Sequence, residues 1–240
     1  MTQLFISDLH LHESRPDLTH AFLHFLEHDA VQAETLYILG DFFDVWLGDD
    51  HDTRFNRQVM DALANLSVKK FLMHGNRDFL IGEEFCRATG AELLDDPCVV
   101  DLYGRPALLM HGDSLCTRDE EYMAVRQVLR DGNFQREFLQ KSIDERAAFA
   151  TDARGKSKEH TRDTADDIMD VTPSEVAKTM QHHQVDLLIH GHTHRPDVHK
   201  ISLGDGTPAT RIVLGDWDSR GWVLRVSPHE LALEDFRIES

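Results

Sequence analysis

Five short apolar segments of this sequence each end in side chains of the kinds that bind metal ions. The five endings are Asp8-x-His10, Gly40-Asp41, Gly75-Asn76-Arg77-Asp78, His111-Gly112-Asp113 and Gly191-His192-x-His194. Carboxylate, amide and imidazole groups without a thiolate suit Mn²⁺ or another borderline divalent ion. The residue types therefore indicate a centre for one or two divalent ions, which can activate a water molecule for hydrolysis.

The five endings share one position in the predicted secondary structure, the point where a strand gives way to a loop. Residues 4–7 are predicted to form a strand, residues 16–27 an amphipathic helix with Pro16 in its first turn, and residues 37–39 a buried strand that leads to Asp41. This alternation predicts an α/β fold. Because the ligand crevice of open α/β sheets lies outside the carboxyl ends of the strands, we expect the five endings to converge there.

Further elements continue the alternation along the chain. Helices are predicted at residues 54–66, 82–89 and 172–182, strands at 70–73, 98–103, 106–110 and 185–189, and a β meander between 211 and 236. The acidic loop at residues 44–52 lacks the glycine and distal glutamate of an EF-hand calcium loop, so it is interpreted as a mainly solvated turn.

Residues 119–167 are helix-forming throughout and are predicted to be a helical cap, inserted over the crevice within a single domain of residues 1–240. The apolar positions of this segment are too few for a core of its own and are expected to face the body or a ligand. They are Phe134, Phe138, Leu139, Ile143 and Phe149. A basic cluster in the same segment is either a solvated helix face or a binding surface for an anionic ligand. It comprises Arg154, Lys156, Lys158 and Arg162.

Composition argues against several classes of protein. With 25 basic and 43 acidic residues the formal net charge is −18, which repels the phosphates of nucleic acids, so no nucleic-acid partner is expected. No apolar run approaches the roughly 20 residues that a membrane-spanning helix needs. The N-terminus lacks the basic region of a signal peptide, which predicts a cytoplasmic location. Three cysteines without a C-x-x-C pair argue against a thiolate zinc site.

In their order along the chain, the five endings resemble those of the calcineurin-like metallophosphoesterase family, and the resemblance covers nearly the whole sequence. It implies a sandwich of two mixed β-sheets flanked by helices, with a cap insertion. It also implies two divalent ions, with Mn²⁺ as the expected metal. By this resemblance the first ion takes Asp8, His10, Asp41 and His194, and the second takes Asp41, Asn76, His111 and His192.

One residue departs from the broad family, in which Gly-Asn-His followed by Asp or Glu is common. Arg77 occupies the place of that histidine, and an arginine cannot donate a proton at physiological pH. Its fixed charge favours a leaving group that needs electrostatic help rather than a proton, such as a phosphate leaving from a pyrophosphate. The expected catalytic residues are Asp41, Asn76 and Arg77.

Longer motifs, among them Gly-Asn-Arg-Asp-Phe-Leu and Ile-His-Gly-His-Thr-His-Arg-Pro, are similar to those of family members that hydrolyse UDP-2,3-diacylglucosamine in lipid A biosynthesis. This resemblance implies attack by water on the UMP-side phosphorus, with release of UMP and 2,3-diacylglucosamine 1-phosphate (lipid X). It implies a peripheral position on the cytoplasmic face of the inner membrane. The implied substrate contacts are Asn76, Arg77, Asp119, Ser157, Thr161, Thr164 and His192.

The sequence is also compatible with two other functions. The first is a soluble nucleotide pyrophosphatase or phosphodiesterase of the same family, with no lipid in its substrate. Among the implied substrate contacts, Thr164 stands where related enzymes commonly have lysine. The second is a non-catalytic protein-binding scaffold, which the complete set of seven ligands disfavours.

Overall fold

The computed structural model describes residues 1–163 and 165–239, and leaves aside the side chains of six further residues of the helical segment. The predictions for Thr164 and for the side chains of Thr161 and Lys158 lie outside the described residues. Among the described residues, no helix combines the length and the apolar character that a membrane span requires.

Eleven strands are described. They are β1 (Gln3–Ile6), β2 (Thr35–Leu39), β3 (Lys69–Met73), β4 (Ala91–Leu94), β5 (Cys98–Leu102), β6 (Arg105–Met110), β7 (Leu187–His190), β8 (Asp197–Ser202), β9 (Pro208–Val213), β10 (Arg220–Val226) and β11 (Leu231–Arg237). The described helices are α1 (Pro16–His28), α2 (Arg54–Asn65), α3 (Glu83–Thr89), α4 (Glu120–Leu129), α5 (Gly132–Leu139), α6 (Ile143–Asp163), α7 (Asp166–Met169) and α8 (Pro173–His182).

The strands form two mixed sheets, as predicted. The first has the order β11-β10-β1-β2-β3-β4, in which β1 to β4 are parallel and β10 and β11 are antiparallel to their neighbours. The second has the order β5-β6-β7-β9-β8, with a parallel centre and antiparallel edges. All five strands that precede the metal-type residues are parallel strands of these sheets, so their carboxyl ends lie at a common edge.

The side chains of each strand alternate between its two faces, which explains why the sheets pack in layers. In β1, Leu4 and Ile6 lie in the cluster that includes buried residues of α1 and α2, whereas Phe5 lies in the cluster between the two sheets. Successive side chains of a strand point to opposite faces, so one strand serves both layers. On the far side of the second sheet, Val176 of α8 packs with Leu188 of β7. The result is a helix, sheet, sheet, helix sandwich.

Two strands, β4 and β8, were absent from the sequence-based assignment. Both lie at sheet edges. Half of the β4 residues, Glu92 and Leu93, are exposed, and most of β8 is exposed as well. An edge strand needs no continuous apolar pattern, and its pairing is decided by the neighbouring strand.

The prediction that residues 44–52 form a mainly solvated turn is wrong. Trp46 and Leu47 are buried, and the Asp49 carboxylate accepts hydrogen bonds from the Trp46 indole and from the backbone amides of Gly82 and Phe85. An acidic side chain that accepts bonds from the first amides of a helix stabilises its N-terminus. The loop therefore anchors α3.

The helices α4 to α7 lie between β6 and β7 and are joined to the body by buried polar contacts. Arg146 of α6 is only 2% exposed. Its guanidinium donates to the Leu47 carbonyl and pairs with Asp50, with 2.7 Å between Nη1 and Oδ1. Gly48 leaves room for this contact, because a Cβ there would lie 2.5 Å from the Arg146 guanidinium.

The apolar side chains of these helices do not share one environment. Phe138 is 4% exposed and belongs to the main core, and Phe134 packs against that core. Leu139 and Phe149 remain 40% and 41% exposed. Of the two alternatives expected for Phe138, the body or a ligand, the structure shows the body, because helix α5 turns this side chain into the main core.

We predict that Phe138→Ala lowers the free energy of unfolding by about 3–5 kcal/mol, the usual cost of removing a buried phenylalanine. The matched control is Phe149→Ala, which removes the same atoms from a half-exposed position and should cost less than about 1.5 kcal/mol. Urea denaturation of the two variants measures both values. Equal losses would show that the two rings are equivalent in packing.

Candidate metal centre

The predicted ligands come together at the shared carboxyl edge of the two sheets. Asp8 and His10 follow β1, Asp41 follows β2, Asn76 follows β3, His111 follows β6, and His192 and His194 follow β7. The backbone links these loops directly. The Asp8 amide donates to the Gly40 carbonyl over 3.0 Å, and the Gly191 amide donates to the His111 carbonyl over 2.9 Å.

Five of these ligands have a left-handed backbone. Their φ angles are 55° at Asp8, 48° at His10, 49° at Asp41, 68° at His192 and 54° at His194. This region costs a residue with a Cβ on the order of 1–2 kcal/mol. Such strain is retained where the surrounding structure enforces it and where the side chain must point in a required direction.

Two glycines allow the backbones to approach the carboxylates. A Cβ on Gly75 would lie 2.1 Å from both the amide nitrogen and Oδ1 of Asp41. A Cβ on Gly191 would lie 2.2 Å from Asp8 Oδ2. No side chain fits at these distances, so the glycines of the Gly-Asn-Arg-Asp and Gly-His-x-His motifs are needed for space.

The first group of ligand atoms contains Asp8, His10 and His194, whose donor atoms lie within 4.8 Å of one another. His10 Nε2 and His194 Nε2 are 3.3 Å apart, and His194 Nε2 is 3.4 Å from Asp8 Oδ1. Asp41 Oδ2 lies 3.9 Å from His10 Nδ1. These four residues therefore surround one small volume.

The second group surrounds Asn76. Its Oδ1 lies 3.1 Å from His111 Nε2 and 3.0 Å from His192 Nδ1. Asp41 Oδ1 lies 3.9 Å from His111 Nε2, and Asp8 also approaches this group. Asp41 thus contacts a histidine of each group with a different oxygen, which is the arrangement a shared carboxylate requires.

The donor set fits a divalent metal ion. Asp8 Oδ1 and His10 Nδ1 are buried atoms with no hydrogen-bond partner among the described residues. Leaving such atoms unpaired costs free energy, and a cation between them would satisfy both. Oxygen and imidazole donors without thiolate match ions such as Mn²⁺.

A further set of side chains orients these ligands. His111 Nδ1 lies 3.0 Å from the Leu39 carbonyl, a bond that turns Nε2 toward the ligand group. Asp78 is fully buried, and Oδ2 and Oδ1 accept bonds of 2.7 Å from the amides of Phe42 and Gly75. The sequence places Asp78 beside Arg77, but its role in holding two ligand loops together depends on residues distant in sequence.

Comparison with known proteins shows the family of the whole chain. The model of the calcineurin-like phosphoesterase family matches residues 1–196. The chain belongs to this family. The protein named UDP-2,3-diacylglucosamine hydrolase in Chromohalobacter salexigens is 54% identical, over 94% of this chain and 93% of that protein. The protein of the same name in Marinobacter nauticus is 54% identical, over 96% and 95%.

Solved structures show the same fold. Vacuolar protein sorting 29 from Cryptosporidium parvum matches with a TM-score of 0.50 at 14% identity, over 98% of this chain and 97% of that one. At this identity the likeness concerns the fold alone. The calcineurin-like sandwich of two mixed sheets flanked by helices, expected from the sequence, is confirmed.

Protonation in this phosphoesterase centre follows from burial and charge. Burial raises the pKa of Asp41 to about 6, against the attraction of His111. Burial would lower the pKa of His111, but Asp41 and two other carboxylates outweigh it and raise that pKa to about 9. Burial lowers the pKa of His10 and of His192 to about 3. His10 and His192 are therefore neutral at pH 7, the form in which imidazole binds a metal, whereas His111 must release a proton to bind one.

Arg77 lies directly beside the shared carboxylate. Its backbone amide donates to Asp41 Oδ1 over 2.9 Å, and its Nε is 3.7 Å from Asp41 Oδ2. Nη1 donates to Asp44 over 3.0 Å. The structure therefore brings the three residues predicted to be catalytic, Asp41, Asn76 and Arg77, to one place.

The residues predicted to contact substrate from the helical segment lie in two places. Asp119 is buried at the N-terminus of α4, where it accepts a bond of 2.7 Å from His160 of α6. Ser157 is exposed on α6, three residues before His160 and three after Arg154. This spacing places Arg154, Ser157 and His160 on one helix face.

Sequence reasoning missed three polar residues, two of them beside the ligands and the third, His160, against Asp119. Tyr122 donates to Asp113 over 2.9 Å, and its ring centroid is 5.5 Å from that of His192. Asp216 Oδ2 lies 3.6 Å from His194 Nδ1. Because no local motif marks Tyr122, His160 or Asp216, only a comparison of related sequences could have drawn attention to them.

We predict that Asp41→Asn lowers turnover at least about 100-fold and weakens metal binding, since one charge shared by both ligand groups is lost. Calorimetric titration with Mn²⁺ and a phosphodiesterase assay measure the two effects. The control is Asp61→Asn, the same chemical change at an exposed position of α2. Full metal binding with near-normal turnover in Asp41→Asn would contradict the shared role of this carboxylate.

Proposed function

We propose that this phosphoesterase hydrolyses the pyrophosphate bond of UDP-2,3-diacylglucosamine to UMP and 2,3-diacylglucosamine 1-phosphate, a step of lipid A biosynthesis. The observation that carries this proposal is the 54% identity to proteins named UDP-2,3-diacylglucosamine hydrolase over more than nine-tenths of both chains. The convergence of the predicted ligands with Arg77 supports it.

The proposed centre holds two divalent ions, with Mn²⁺ as the expected metal. The ligands proposed for it are Asp8, His10, Asp41, Asn76, His111, His192 and His194. When bound, a pair of divalent ions supplies activation of water and neutralises charge on the oxygens of the transferring phosphoryl group. The protein supplies a fixed geometry, because strained backbone and close glycines hold the ligands in place.

In the proposed reaction a water oxygen bonds to the UMP-side phosphorus. The bond from that phosphorus to the bridging oxygen breaks, and its electron pair leaves with the sugar phosphate while the proton of the water passes to solvent. The leaving phosphate is a stable anion and needs no proton. Arg77, beside Asp41, is placed to stabilise the charge that develops on it.

We propose that substrate is contacted by Asn76, Arg77, Asp119, Ser157, Thr161, Thr164 and His192. Asn76, Arg77 and His192 lie beside one another, which supports their proposed contacts with the phosphate groups of the substrate. Asp119 and Ser157 lie on or against the α6 face described above. Thr164, where relatives commonly carry lysine, supplies a hydroxyl in place of a charge.

We propose further that the protein works at the cytoplasmic face of the inner membrane, where a lipid-linked UDP-sugar resides. A net charge of −18 repels an anionic lipid surface, so capture of the lipid depends on local apolar side chains. Val125 and Val128 are exposed three residues apart on α4, and Leu139 and Phe149 are exposed on α5 and α6. Burying one such side chain against lipid contributes about 1.5–3 kcal/mol.

The decisive experiment compares UDP-2,3-diacylglucosamine with UDP-N-acetylglucosamine and ADP-ribose, using purified protein and Mn²⁺. We predict a kcat/KM at least about 100-fold higher for the diacyl substrate. In ¹⁸O-labelled water the label should enter UMP. Label in the sugar phosphate would refute attack at the UMP-side phosphorus, and equal use of the three substrates would favour a soluble nucleotide pyrophosphatase.

A second prediction concerns the leaving group. Arg77→His replaces a fixed charge by a group that can donate a proton, so diphosphate hydrolysis should fall by about 10-fold or more. Hydrolysis of phosphodiesters with alkoxide leaving groups should rise relative to it. The ratio of the two rates in parent and variant measures the effect. An unchanged ratio would show that Arg77 does not act on the leaving group.

A further inference from the structure

Asp44 has an arrangement that the metal ligands do not explain. Its Oδ1 accepts a bond of 3.0 Å from Arg77 Nη1, and its Oδ2 lies 2.5 Å from Nη2 of Arg154. Arg77 belongs to the loop after β3, whereas Arg154 belongs to α6. One carboxylate therefore joins an arginine beside the metal centre to an arginine of the inserted helices.

The backbone around Asp44 is tied down on both sides. The Asp44 amide donates to the Leu11 carbonyl over 3.1 Å, and the Trp46 amide donates to the Arg77 carbonyl over 3.2 Å. The Asp44 carboxylate is thus carried by a segment that is fixed to both the first ligand loop and the Arg77 loop. A rigid anchor of this kind limits the rotamers open to the Arg77 side chain.

The positive charges of Arg77 and Arg154 explain why a carboxylate is needed between them. Two guanidinium groups that meet at one carboxylate repel each other, and the carboxylate between them offsets that repulsion. A guanidinium has five N–H donors; the bond to Asp44 uses one on Nη1, while Nε lies 3.7 Å from Asp41 Oδ2, too far for a hydrogen bond. A phosphoryl group that enters the site can therefore bind the remaining donors without breaking the contact with Asp44.

We propose that Asp44 is a positioning residue, which holds the Arg77 guanidinium in the orientation needed to stabilise the leaving phosphate and shares this anchor with Arg154. The proposal rests on the phosphoryl-transfer role given to Arg77 above. It predicts that Asp44 acts on turnover through Arg77, rather than through the stability of the fold or the attachment of α6.

A double-mutant cycle tests this mechanism. Asp44→Asn keeps the shape of the side chain and removes its charge, so kcat should fall about 10-fold or more while KM changes by less than about 3-fold. In an Arg77→Ala background the same substitution should change kcat by less than about 3-fold, because the residue through which it acts is gone. Asp44→Glu, which keeps the charge, should restore most of the lost kcat.

Two control variants separate positioning from attachment of the helices. Arg154→Gln removes the α6 partner of Asp44, and Asp50→Asn removes the carboxylate that pairs with Arg146. The effect of Asp50→Asn on kcat should be the same with and without Arg77. If Arg154→Gln reproduces the whole loss seen in Asp44→Asn, or if the Asp44 and Arg77 effects simply multiply, the proposal is overturned.

The assays use both UDP-2,3-diacylglucosamine and a chromogenic phosphodiester. If the parent protein cleaves the phosphodiester but not the diacyl substrate, the proposed function fails while the coupling of Asp44 to Arg77 is still measured. If the parent cleaves both and the cycle shows no coupling, the positioning role fails and the proposed function stands.

Discussion

The burial of one carboxylate governs the rest of this structure. Asp41 is 2% exposed at the junction of two sheets, where desolvation opposes its charge. It is compensated by the Arg77 amide, by the charge of the Arg77 guanidinium and by His111. A charge in such a place is tolerated only when its partners are held close to it, and the loops at the carboxyl edge supply them.

The ligand residues that surround Asp41 have a strained left-handed backbone, and contacts elsewhere in the fold compensate for that strain. The loops that carry the left-handed ligands are held by backbone bonds, including the Asp8 amide to the Gly40 carbonyl and the Trp217 amide to the Asp8 carbonyl, both at 3.0 Å. The packed layers behind them are rigid. The geometry of the ligands in this phosphoesterase therefore depends on the packing of the sheets. A substitution that damages either one is expected to affect both.

The charge distribution shows how an acidic protein can place positive charge near its candidate metal centre. Although the net charge is −18, three arginines of the segment 119–167 bind acceptors on loops near the centre. Arg126 donates to Asp113 over 2.8 Å, Arg130 donates to the Gly75 carbonyl over 3.0 Å, and Arg154 meets Asp44. Each is matched by an acceptor of the body. Local positive charge is thus placed without making the surface basic.

The sequence by itself determined the class of fold and the candidate ligands, because strand ends and side chains of metal-binding types are marked by residue type and local spacing. It could not determine how distant acceptors are used. The acidic loop was interpreted as solvated, yet Asp44, Asp49 and Asp50 each bind partners from other elements. Phe138 resembled its exposed neighbour Phe149 in sequence, and only packing against the body separated them. Such contacts depend on the relative placement of elements, which local periodicity does not encode.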